Sequence, residues 1–187
     1  DRDCDPEVAK ILNGRTGVVL FVHADRIERV QWVVDVVGWM RRLELPLEDG
    51  KPIKWHPRHA PTQVQIVDLL QLLHASPLDV GPQRVAIALS AWDKVEQEGL
   101  TPSAFLAQRL PLLHQYLEHG PLAGRWRVYG VSAQGGDYEP LEGSKGPWSR
   151  EDVERARAHD NPSERIKLTS DIAQSQDLTE PIAWLTE

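Results

Sequence analysis

Arg84-Val85-Ala86-Ile87-Ala88-Leu89-Ser90-Ala91-Trp92-Asp93-Lys94 decides how the rest of the chain is read. No polar residue interrupts the run from Val85 to Leu89, and β-branched Val and Ile stand among small apolar neighbours. A run without polar alternation is the mark of a strand covered on both faces, as in a parallel sheet. Open α/β sheets take their ligands just past the carboxyl ends of such strands. Ser90, Trp92, Asp93 and Lys94 fall there. A second strand-like run, Arg125-Trp126-Arg127-Val128-Tyr129-Gly130-Val131, opens into Ser132-Ala133-Gln134-Gly135-Gly136. Two strand ends, each carrying small polar groups, can form two walls of one pocket.

Upstream, Pro6 to Asn13 reads as a short helix with Pro at its first position and Gly14 as its stop. Gly17-Val-Val-Leu-Phe-Val22 reads as another buried strand, ending at His23-Ala24-Asp25. Val30, Val33, Val34, Val37 and Met40 repeat at helical spacing within 27–43, and four prolines with Gly50 make 45–61 an exposed loop. Thr62-Gln63-Val64-Gln65 fits a capping box, with Gln65 reaching back to the Thr62 amide. The helix it starts is expected to turn Ile66, Leu69, Leu70 and Leu73 to the core, with Val67 alongside.

Downstream, Thr101-Pro102 starts a helix with Leu106, Leu110, Leu113 and Leu117 in register and a kink at Pro111. Gly120 and Gly124 bracket the turn into the strand that follows. Residues 135–147 form a Gly-rich acidic loop, and Ser149-Arg-Glu-Asp152 starts a short charged helix. A possible short strand spans Arg165–Leu168, and Thr179 caps a last helix over Pro181–Leu185. Strands alternating with helices, and no internal repeat, predict one α/β domain on a parallel sheet with right-handed crossovers.

The 187 residues suit a single domain, with a formal net charge of −7 that opposes nonspecific attraction to nucleic acid or anionic membrane. One cysteine, Cys4, excludes an internal disulfide framework. No signal-like stretch or apolar run long enough for a membrane span occurs, and a cytoplasmic location is expected. With Asp1 first and Met40 the only methionine, the chain is expected to be a fragment, a processed product or the ordered part of something longer.

A carboxylate just past a buried strand, as at Asp93, can accept two parallel N–H bonds from a planar heterocycle. Guanine offers two adjacent donors on one edge and adenine does not. Lys94 or the Trp92 ring would cover the base face, and the Ser132-Ala133 turn would add backbone amides. The alternative for Asp93 is a capping or solvated carboxylate, and for Ser132 and Ala133 an ordinary tight turn. His56 and His59 suggest a metal pair, but Pro57 opposes the helix that such spacing uses and no third ligand stands near. The seven tryptophans are most simply packing residues.

Ser90-Ala91-Trp92-Asp93 resembles the base-recognition motif of P-loop GTPases (Asn or Thr, Lys, any residue, Asp), and Val131-Ser132-Ala133 resembles their Ser-Ala motif after the next strand. The order of elements over 6–134 is similar to the C-terminal half of a TRAFAC-clade, double-GTPase-like domain of bacterial conflict and regulatory systems. Asp177-Leu-Thr-Glu-Pro-Ile-Ala-Trp-Leu185 is similar to its close. The resemblance implies a three-layer, parallel-sheet, P-loop-NTPase-like fold covered in its C-terminal half. Residues 1–187 would be one GTPase-like domain with an excursion over 24–61 and an insertion over 135–178. It also implies a regulatory, GTP- or GDP-binding half-site made of Ser90, Trp92, Asp93, Lys94, Ser132, Ala133 and Gln134, with protein partners.

Two departures bear on activity. Ala91 stands where the motif has Lys. No Gly-x-x-x-x-Gly-Lys-Ser/Thr loop occurs, and Gly143-Ser-Lys-Gly146 lacks its spacing. Mg²⁺ binding and GTP hydrolysis would therefore require an N-terminal portion carrying that loop. The competing expectation is a pseudo-GTPase scaffold that binds proteins and no nucleotide, a reading that Ala91 favours.

Overall fold

A computed structural model describes residues 17–27, 60–76, 78–79, 81–135 and 161–187, together with the isolated positions 7, 154 and 158. The helix over 27–43, most of the 45–61 loop with its histidine pair, and nearly all of the 6–13 helix, the 135–147 loop and the Ser149 helix lie outside the described residues. Among the described residues, five strands form one sheet in sequential order: β1 Gly17–His23, β2 Arg84–Ser90, β3 Trp126–Ser132, β4 Lys167–Thr169 and β5 Gln174–Ser175. The first three run parallel, with Val18 opposite Val85 and Val85 opposite Trp126. β4 and β5 return antiparallel, Val131 facing Leu168 and Leu168 facing Ser175. The expected all-parallel sheet is thus corrected to a mixed one.

Four helices are described: α1 Thr62–His74, α2 Pro102–Arg109, α3 Pro111–His119 and α4 Glu180–Thr186. Alternation along the strands sends one set of side chains to each face. Val85, Ile87, Leu89 and Val128 join Leu70, Leu106, Leu110, Leu113 and Leu117 in the larger core under α1 to α3. Ala86 and Tyr129 meet Leu168, Trp184 and Leu185 in the smaller core under α4. Helices therefore cover both faces of the sheet, and β2 is buried along its length as its apolar run predicts. β1 departs from the buried strand expected of it. It pairs along one edge only among the described residues, and Phe21 is 73% exposed.

The helix starts differ from expectation in instructive ways. Thr62 is the first residue of α1 rather than its cap, and Gln65 donates from Nε2 to the Ala60 carbonyl at 2.6 Å instead of reaching the Thr62 amide. The buried stripe is Gln63, Val67, Leu70 and Leu73, while Leu69 is 43% exposed. Gln63 is buried because its Oε1 accepts from the Leu112 amide at 2.8 Å, satisfying a free N–H in the first turn of α3. Pro111 does more than kink a helix. Leu110 leaves helical geometry at φ −129 and ψ 55, and Pro111 begins a separate helix that keeps the four leucines in one core. In α4 the N-cap is Thr179, as expected, but its side chain accepts from no helix amide; its hydroxyl and its amide both donate to Asp177 Oδ1 instead.

Candidate functional site

The carboxyl ends of β1, β2 and β3 stand side by side, with His23 in register with Ser90 and Ser90 with Val131. Parallel pairing gives this alignment, so whatever follows each strand is delivered to one rim of the sheet. A cavity of about 280 Å³ opens there, lined by His23, Arg26, Ala91, Asp93, Lys94, Ala133 and Gln134.

Ala91 controls how β2 leaves the sheet. It adopts the left-handed conformation at φ 55, which costs a residue with a Cβ roughly 1 kcal/mol or more. The reversal starts a short 3₁₀ turn over Trp92–Lys94 that sends consecutive side chains in opposite directions. Trp92 goes into the core, 2% exposed, with its ring edge-on to Phe105 at 5.3 Å. Gly130 makes the room, since a Cβ there would overlap the Trp92 ring. Asp93 goes outward to the cavity.

The Ser132 hydroxyl, almost wholly buried, donates to Asp93 Oδ1 at 2.8 Å and accepts from the Gly135 amide at 3.0 Å. It ties the β2 exit to the β3 exit and fixes the turn that carries Ala133 and Gln134. Asp93 keeps the second oxygen, and one remaining lone pair on the first, for other donors. Lys94 Nζ lies 3.6 Å from Asp25 Oδ2, and Asp25 also pairs with His23 Nδ1. Asp25 thereby holds a cation and an imidazole at the β1 side of the cavity.

Of the seven residues picked from the sequence, the fold brings Asp93, Lys94, Ala133 and Gln134 to one cavity, with Ser132 behind them. Two are placed elsewhere. Ser90 directs its hydroxyl to the Val22 carbonyl at 3.5 Å, spanning the β1–β2 ends outside the cavity lining. Trp92 lies in the core outside the cavity lining, so it is not the ring that could cover a bound base. His23 and Arg26 line the cavity and were given no role in the sequence. The rule that singled out Asp93, a position just past a parallel strand, applies equally to them.

Among the described residues no three His, Cys, Asp or Glu side chains converge as metal ligands, and no helix is long and apolar enough to cross a membrane. Compared with known protein families, the chain matches the family described as Double-GTPase 1 over residues 1–185. Searches of curated proteins and of solved structures returned no match.

Proposed function

The chain belongs to the Double-GTPase 1 family, and on that premise we propose that the cavity at the carboxyl ends of β1 to β3 binds the base of a guanine nucleotide. One observation carries the reading. Asp93 and Ser132, from two different strand ends, meet in a 2.8 Å hydrogen bond at a cavity of ligand-binding location. Ser132 orients the carboxylate, and Asp93 accepts the two adjacent N–H groups of the guanine edge. Ala133 lets the main chain approach the base closely, and Gln134 closes the rim. Lys94 is the side chain left to cover the base face. At about 280 Å³ the cavity suits a base and part of its sugar. Arg26 places positive charge beside it for the phosphates that follow.

A regulatory, double-GTPase role of the TRAFAC kind is the function this half-site would serve. Hydrolysis and Mg²⁺ coordination are assigned to a phosphate loop, which the 187 residues do not contain. A second reading, a nucleotide-free scaffold that engages protein partners, is favoured by Ala91 in place of the motif's Lys and by the burial of Trp92.

Calorimetric titration with GDP and ADP separates the two. The expected result is binding of GDP over ADP by about tenfold or more, with the preference lost in Asp93→Asn. Heat that is the same for both nucleotides, or absent, would leave the scaffold standing.

A further inference from the structure

The edge of the sheet far from the nucleotide cavity carries an incomplete strand ladder. The Val85 amide donates to the Arg125 carbonyl at 3.0 Å, so odd-numbered residues of β3 direct their N–H and C=O groups toward β2. Even-numbered residues direct theirs to the opposite edge. There β4 engages Gly130 and Ser132, opposite Thr169 and Lys167. Beyond Thr169 the chain turns away, closed by the Ser170 amide on the Ala173 carbonyl at 2.8 Å, and continues as β5. Trp126 and Val128 are left with edge N–H and C=O groups that have no backbone partner among the described residues.

A groove of about 590 Å³ runs along this vacant stretch. On the α3 side its wall includes His114 and Glu118; on the α4 side it includes Arg127, Tyr129 and Glu180. The Arg127 guanidinium is drawn over the Trp184 ring, 4.9 Å from its centre. The Tyr129 hydroxyl is buried there, in the field of Arg127 but outside hydrogen-bond geometry with any group. Asp171, at the end of the groove, is tied to Ser103. Unpaired strand edges are templates for a further strand, and proteins ordinarily cover or blunt them.

We propose that the Trp126–Tyr129 edge of β3 is a docking site for an extended segment of a partner protein that adds a strand in line with β4 and carries Lys or Arg at alternating positions. Main-chain bonds to Trp126 and Val128 supply register, and alternate side chains reach the two walls. Alternation sends every Lys or Arg to a single wall, the α3 wall with Glu118, while the positions between them face the α4 wall, where Arg127 stands with Glu180 and opposes a further cation. A second copy of this chain fits poorly, because pairing two such edges would set the Glu118 wall of each against that of the other, on proteins of net charge −7.

The test uses the full chain and an eight-residue peptide alternating Lys and Val, followed by fluorescence anisotropy at low salt. Two control peptides accompany it, one N-methylated at alternate amides and one with Glu in place of Lys. Saturable binding is expected for the first peptide, with binding by the N-methylated and Glu forms at least tenfold weaker. In amide exchange the peptide should protect Trp126 and Val128. Glu118→Gln, an exposed change outside the core, should weaken binding about two- to fivefold. Equal binding of the N-methylated peptide, no binding at millimolar concentration, or protection of those two amides by self-association alone would overturn the proposal.

Discussion

Asp93 and Ser132 are separated by 39 positions and meet in one hydrogen bond. Both were legible from the sequence, because each follows a recognisable strand and parallel strands deliver their exits to one rim. Trp92 was not. Position past a strand does not say which side chain of a tight turn faces in, and here the left-handed Ala91 turns the indole under the sheet. The available signal was Gly130, a glycine inside a strand that otherwise packs on both faces, which marks a close approach. Gly130→Ala should therefore lower stability by about 1–3 kcal/mol through overpacking against Trp92. Urea unfolding with an unchanged midpoint would show that the ring is not held there. Asp177 provides a second test at this scale. Its hydrogen bonds from the Thr179 hydroxyl and amide hold its carboxyl below the usual Asp range. A depressed folded-state value means the contribution is complete above the ordinary Asp pKa, ~3.9, and is lost as pH falls below it toward the folded value. Asp177→Asn, which keeps the accepting oxygen, should flatten the acid limb of the stability curve below about pH 4. Superimposable limbs would count against the assignment.

At the scale of elements, β1, β2 and β3 were read from their sequence runs to within a residue or so; a covered strand leaves a continuous apolar signal, which explains β2, whereas β1 carries the same signal with less burial. The core register of α2 and α3 was legible in four leucines for the same reason, although the break at Leu110 was not. A proline lowers helix continuity, but only packing decides between bending and restarting. In α1 the local capping motif misled, and the buried stripe rotated toward Gln63. A glutamine on a core face looks wrong until its partner, the Leu112 amide 49 positions away, is known. Gln63→Ala should cost about 1–2 kcal/mol by leaving that amide unsatisfied next to the core. Chemical denaturation is the readout. A change within a few tenths of a kcal/mol would mean that water replaces the bond without penalty. Of the two short antiparallel strands, β4 overlaps the short strand expected at Arg165–Leu168, with its bounds shifted, while the two-residue β5 was not foreseen. Segments of that length carry too few positions for alternation to register.

For the whole molecule, pairing decides both surfaces that matter. Parallel order at one end gathers Asp93, Ser132, Lys94, His23 and Arg26 around one cavity. At the other end the early turn after Thr169 leaves part of β3 without a strand partner among the described residues. The α/β class and the location of the cavity follow from strand runs and their exits. The antiparallel return of the sheet depends on long-range pairing that no local pattern encodes. The central claim is that Asp93 reads a base by accepting two hydrogen bonds, and a swap of ligand chemistry tests it most directly. Xanthine has a carbonyl where guanine has its exocyclic amine, and Asn offers a donor where Asp offers only acceptors. Titrating the wild type and Asp93→Asn with GDP and XDP should show guanine preferred by the first and xanthine by the second. Equal or absent binding of both nucleotides in both proteins would contradict the assignment of Asp93.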